Sequence, residues 1–168
     1  MVETNTLYKL IEECQIDLLI CNLPNQVLGY YHGEPDYDFI LISDSISESE
    51  SLFRTVLAEE IGHYFTTIGD CTPKKHLCYS NRIRIETYEE RALKWAAHFL
   101  VPTHMLLSSL KETCNQSIDA LSSLFLVTKE LLHAKFRFLS LERILWQIDQ
   151  TQYLNLSHLP SIYVFSSM

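Results

Sequence analysis

Apolar positions change their period twice in the first third of the chain. Between Thr4 and Gln15, Leu7, Leu10 and Ile11 recur at i, i+3 and i+4, which predicts an amphipathic helix over 4–15. Ile16 to Cys21 is a short, nearly unbroken apolar run, read as a strand and ended by the turn residues Asn22-Leu23-Pro24-Asn25. Val27 to Tyr31 and Phe39 to Ile42 predict two more strands, with Gly33-Glu34-Pro35-Asp36 as turn chemistry between them. A small antiparallel or mixed sheet of about three strands follows.

Helical spacing then takes over. Ser47-Glu48-Ser49-Glu50 has the form of a capping box and predicts a helix running to the neighbourhood of Phe65. On it Leu52, Val56, Glu59 and His63 fall on one line, and Phe53, Leu57, Glu60 and Tyr64 on the next. Thr66 to Lys75 reads as a loop, and Thr87 to Leu100 as a second long helix stopped by Pro102. Ala92, Trp95, Ala96 and Phe99 make its packing face, with Glu89 on the same side; His98 is half a turn out of phase with Glu89. Residues 103–145 are mostly helical in pattern, and 118–132 reads as helix, turn, helix. These readings divide the chain into a core over 1–102, a helical subdomain over 103–145 and an apolar tail over 146–168. The tail pattern leaves open docking, an added strand or a partner contact.

Composition narrows the classes. A 168-residue chain that is 47% hydrophobic can bury a substantial core, and its apolar runs are too short for a membrane helix. No basic-then-apolar leader follows Met1, so a cytoplasmic protein without membrane attachment is expected. Thirteen basic against 21 acidic residues argue against nucleic acid as a partner, since broad binding needs Lys and Arg on phosphates. Five cysteines, widely spread, argue against a disulfide framework. Cys71, His76 and Cys78 could ligate an ion, but their spacing is not that of a zinc knuckle, and plain thiols are the simpler reading.

The chemistry concentrates in Ala58-Glu59-Glu60-Ile61-Gly62-His63-Tyr64. It is the zinc-peptidase helix H-E-x-x-H with Glu59 in place of the first His. Glu59 and His63, at i and i+4, share a helix face and can hold one ion, and Glu60 occupies the general-base position. Both carboxylates continue the apolar stripe, which is costly unless a cation neutralises them. The plain alternative is an acidic helix surface.

Other blocks bring a family into view. Asn22-Leu23-Pro24-Asn25 precedes the Gly29-Tyr30-Tyr31 and Phe39-Ile40-Leu41-Ile42 strands. Leu57 through Thr67 follows, with Gly69-Asp70, and then Glu89-Glu90-Arg91-Ala92-Leu93-Lys94-Trp95-Ala96-Ala97-His98-Phe99-Leu100-Val101-Pro102. The last block fits the pattern E-x-x-A-x-x-(F/W)-A-x-x-x-L-x-P. Together, over residues 7–135, these resemble the ImmA/IrrE metallopeptidases, in particular the ImmA-like proteins of prophages and integrative elements; the tail after 145 is not covered.

The resemblance implies an α+β, zincin-like fold with an active-site helix, a second ligand-bearing helix and a helical C-terminal region. It implies zinc, with manganese as the alternative, held by Glu59, His63 and Glu89, and Glu60 as catalytic base. It also implies a protein substrate: cleavage of a helix-turn-helix repressor of a phage or mobile element. Two carboxylates and one imidazole leave Zn²⁺ neutral, whereas two imidazoles and a carboxylate leave it positive. Water is then less acidified and harder ions are favoured. Three functions compete: an anti-repressor endopeptidase, a catalytically weak or inactive relative that acts by binding a repressor, and a DNA-binding factor built on 118–132. Asp119 and Glu130 beside Lys129 weigh against the last and favour partner docking there. Glu89 alone would read as a helix N-terminal carboxylate, as would Glu90. Tyr64, Tyr88 and His76 are oxyanion-donor candidates or plain packing and surface residues; His32, His104, His133 and His158 read as ordinary.

Overall fold

The fold was obtained as a computed structural model. It describes residues 1–24, 26–34, 37–66, 79–112 and 117–166, without the side chains of 79–85 and 112. The chain divides into two compact units, Val2–Ala96 and Ala97–Met168 (with Met1), the division falling within one helix.

In the first unit, α1 (Thr4–Glu13) leads into β1 (Asp17–Cys21), β2 (Gly29–Glu34) and β3 (Tyr37–Ser43). The strand order is β1-β3-β2: β1 runs parallel to β3 and β2 antiparallel to it, so the sheet is mixed. Ile40 and Ile42 of the central strand are fully buried under α2 (Glu50–Thr66), which packs on β2 and β3. Leu7 and Ile11 of α1, and Phe53, Val56, Leu57, Ala58 and Ile61 of α2, complete this core. Burial of each such large side chain contributes roughly 1.5–3 kcal/mol. Arg54 is fully buried, yet its guanidinium donates to Thr4 Oγ1 (2.7 Å) and to the Val2 carbonyl (2.6 Å). The Thr4 hydroxyl in turn donates to Glu50 (2.8 Å), tying the start of α1 to α2. α3 (Tyr79–Leu100) ends at Val101-Pro102.

The second unit holds α4 (Thr103–Glu112), α5 (Ile118–Phe125) and α6 (Lys129–Glu142). Ser117 caps α5 by accepting from the Ala120 N–H, and Thr128 caps α6 by accepting from the Leu131 N–H. Leu126, in the left-handed region at φ 50°, makes the turn between them. The tail forms a three-stranded antiparallel meander, β4 (Leu145–Gln147), β5 (Gln152–Asn155) and β6 (Tyr163–Ser166). Trp146 Nε1 donates to the Arg143 carbonyl (2.9 Å) and anchors the meander to the end of α6.

Three local expectations shift. Ser47 does not cap the long helix. It closes a short 3-10 turn, Asp44–Ile46, with its N–H on the Asp44 carbonyl (3.2 Å), and α2 starts at Glu50. Gly33 and Glu34 are not turn residues: they pair with Asp38 and Tyr37 and lengthen β2. The second long helix begins at Tyr79, well before Thr87. At Gly33 and Glu34 the ladder hydrogen bonds outweigh local turn propensity. The expected loop after Thr66, the Cys71–His76–Cys78 group and Cys114 lie outside the described residues.

Candidate active site

The site is built where α2 lies beneath the edge strand β2. Helical spacing presents Glu59, Glu60 and His63 toward the interior. His63 is 7% exposed, while the two glutamates are intermediate in burial. From α3, Glu89 reaches back, its Oε2 3.4 Å from His63 Nε2, while more than half of its own side chain stays in solvent.

Two close approaches set this geometry. A Cβ at Gly62 would lie 2.6 Å from the Ala92 carbonyl oxygen, so α2 and α3 touch backbone to backbone beside His63 and one turn after Glu89. A Cβ at Gly29 would lie 2.5 Å from Glu60 Oε1 and 2.6 Å from Val56 Cγ1. Glycine on β2 therefore leaves room for the Glu60 carboxylate, which also accepts a hydrogen bond from the Tyr31 backbone. Aromatic rings line the flank: Tyr64 meets Tyr31 edge-on at 6.2 Å, and Phe65 stacks on Trp95 at 5.1 Å.

The electrostatics is that of crowded, poorly solvated acids. Burial, and then the Glu89 charge, push the Glu59 carboxyl up to about 7 against the pull of His63. Burial likewise pushes Glu60 to about 7; His63 and the Tyr31 N–H oppose this, while Glu59 and Glu89 add to it. Burial alone would lower His63, but its contact with Glu89 and the charges of Glu60 and Glu59 raise it instead. Each group senses the others, so a divalent cation among them would satisfy all of them at once.

Among the described residues, no group of three or more His, Cys, Asp or Glu side chains is set as a ready cage for an ion. His63 and Glu89 converge; Glu59 is not brought to the same point. The donor chemistry nevertheless fits: one imidazole and carboxylates whose charged forms are disfavoured without a cation. His98 sits elsewhere, its Nδ1 3.0 Å from Lys135 Nζ. Tyr64, held by a hydrogen bond to Cys14 and by Tyr31 and Phe65, is engaged in packing. His76 lies outside the described residues. In the second unit Lys129 pairs with Asp119, and Arg137 and Arg143 lie over the Phe138 and Trp146 rings. Sequence reading did not assign Gly29, Gly62 and the Tyr31 backbone to the site. The signal available was the lack of a side chain at Gly29 and Gly62, in strand and helix positions; nothing in the sequence marks the Tyr31 backbone.

Comparison with known proteins identifies the class. Residues 11–137 match the family model of the IrrE N-terminal-like domain, a peptidase family. The chain is 26% identical over 135 residues to "Uncharacterized immunity region protein 2" of Bacillus phage phi105, covering 79% of this chain and 80% of that one. In structure it is similar to a Mycobacterium tuberculosis transcriptional regulator, with a TM-score of 0.55 at 19% identity. That match covers 89% of this chain but spans only 44% of the regulator's length, and it speaks to the fold alone. The chain belongs to the ImmA/IrrE peptidase family, and its α+β architecture is that of the IrrE-like domain. Among the described residues no helix is long and apolar enough to cross a membrane.

Proposed function

We propose that this protein is a metal-dependent endopeptidase that inactivates a helix-turn-helix repressor of a phage or mobile element by cutting it. One observation carries the reading. Glu60 is held over Gly29 of an edge strand, beside the His63–Glu89 pair, and accepts a hydrogen bond from the Tyr31 backbone. A carboxylate so placed can take a proton from water and return it to a leaving amine. His63 and Glu89, with Glu59 swung onto the same point, would hold zinc or manganese. The bound metal would supply Lewis acidity to the water and to the scissile carbonyl. Tyr31 orients Glu60 through its N–H and keeps the carboxylate aimed at the helix–strand cleft. Membership of a peptidase family and likeness to a phage immunity-region protein support a repressor as the substrate.

The test is elemental mass spectrometry on protein purified without a metal-binding tag, joined to a cleavage assay on phage-type helix-turn-helix repressors. About one equivalent of metal is expected in wild type, lost in His63→Ala and in Glu89→Ala. Glu60→Gln should keep the metal and lose cleavage; equal cleavage by that variant would sink the mechanism. A second reading, inactivation by binding alone, draws on the absence of a preassembled three-ligand cage among the described residues. It requires that repressor release survive both chelation and Glu60→Gln.

A further inference from the structure

The sheet of the first unit has a second face, turned away from α2. Its register places Asp17 and Leu19 of β1, Tyr37, Phe39 and Leu41 of β3, and Tyr30, His32 and Glu34 of β2 on that side, since Ile40 and Ile42 point to the core. Outward positions of a one-sided sheet are ordinarily polar. Here most are apolar or aromatic: Leu19 is 54% exposed and Tyr37 50%. The rings of Tyr30, His32, Tyr37 and Phe39 form a continuous cluster, His32 lying 5.1 Å and Tyr37 5.6 Å from Phe39. Two carboxylates stand beside the rings. Asp17 accepts from the Tyr37 hydroxyl, and Glu34, two-thirds exposed, lies 3.1 Å from His32 Nε2.

The charge around this face is one-sided. Residues 10–53, from the end of α1 through the sheet to the start of α2, hold nine of the chain's 21 acidic residues and none of its 13 basic ones, and Asp17 and Glu34 are the carboxylates on this face. An apolar patch of this kind marks a protein interface, and its charge selects the occupant. A second copy of the chain would bring Asp17 and Glu34 against their own like. Arg and Lys can instead lie over the aromatic rings while meeting the carboxylates.

We infer that the outer face of the β1-β3-β2 sheet docks a basic segment of a partner protein, one that presents Lys or Arg flanking an apolar side chain. Such segments are found on DNA-binding proteins, where the same cations meet phosphates. Docking here would compete with that contact. The inference goes beyond the peptidase reading and stands even if the active site is silent.

The test is a nuclear magnetic resonance titration of ¹⁵N-labelled full-length chain with an acetylated Leu-Arg-Arg-Leu-Arg-Arg-Leu peptide. Saturable shifts are expected at the amides of β1, β2 and β3, weakening as salt rises. The same peptide with Ser for Leu should bind more weakly, and one with Glu for Arg should not bind. Asp17→Lys with Glu34→Lys, both at exposed positions, should lower affinity at least tenfold while leaving metal content unchanged. Three results would overturn the inference: shifts mapping to other acidic surfaces, affinity untouched by the double variant, or concentration-dependent shifts of these amides without peptide. The last would assign the face to self-association. Metal content is read separately, so failure of docking and failure of the metal site are distinguishable.

Discussion

Gly62→Ala isolates the contact on which the site depends. The added Cβ would sit 2.6 Å from the Ala92 carbonyl oxygen, and 3.0 and 3.1 Å from its Cα and carbonyl carbon. A carbon–oxygen contact normally stays beyond about 3.3 Å, so α2 and α3 must separate by roughly 0.7 Å. The partner atoms are backbone and cannot rotate aside. Alanine in a helix interior is intrinsically better than glycine by about 0.5–1 kcal/mol, whereas overpacking costs about 1–3 kcal/mol. The two effects oppose each other, and a net loss of about 1–2 kcal/mol is expected, a fall in Tm of roughly 2–8 °C for a chain this size. The larger effect falls on function. His63 is the next residue and Glu89 lies one turn before Ala92, so the 3.4 Å His63–Glu89 approach opens. Ligand distances tolerate only about 0.2 Å, and zinc affinity should fall at least tenfold. Thermal denaturation in chelator and competition with a chromophoric zinc indicator read the two effects apart. Adding Ala92→Gly should not rescue either, because the clash is with backbone. A Gly62→Ala protein that is more stable and binds zinc like wild type would refute the helix contact.

Further predictions follow from the same geometry. Gly29→Ala should displace Glu60, abolishing cleavage while zinc, counted by elemental analysis, stays near wild type. Metal-free protein should lose stability as pH rises. Glu59 and Glu60, ordinarily near 4.5, hold their protons to about 7 in the fold, and the raised His63 acts in the same sense. That stability is complete below the unfolded-state values and lost as pH passes the folded ones. Tm in chelator should therefore fall between pH 5 and 8 (about the span of these shifts), and Glu59→Gln with Glu60→Gln should flatten the profile. In the second unit Lys135 is fully buried and donates to Thr103 Oγ1 and His98 Nδ1, both at 3.0 Å. Lys135→Ala should cost roughly 2–4 kcal/mol in urea denaturation from the lost bonds and the cavity; an effect below 1 kcal/mol, about that of a surface substitution, would contradict that role.

Much of this protein was legible in its sequence. The stripe of Leu7, Leu10 and Ile11 and the apolar run into Cys21 mark α1 and β1, because helix and strand periods are local properties of the chain. The motif spacing put Glu59 and His63 on one helix face, and the Glu89 block carried the family. Element boundaries were less legible. Ser47 resembles a cap, and Gly33-Glu34 resembles a turn, until ladder and helix bonds decide otherwise.

Tertiary structure alone decided the rest, because it depends on backbones meeting across distances the sequence does not encode. No local pattern says that Gly62 lies against Ala92, that Gly29 makes room for Glu60, or that Glu89 reaches His63 while Glu59 does not close the same point. Nor does alternation along single strands reveal that Leu19, Phe39 and Tyr30 share one outward face. That follows from the parallel and antiparallel register about β3, which exists only once the three strands are paired.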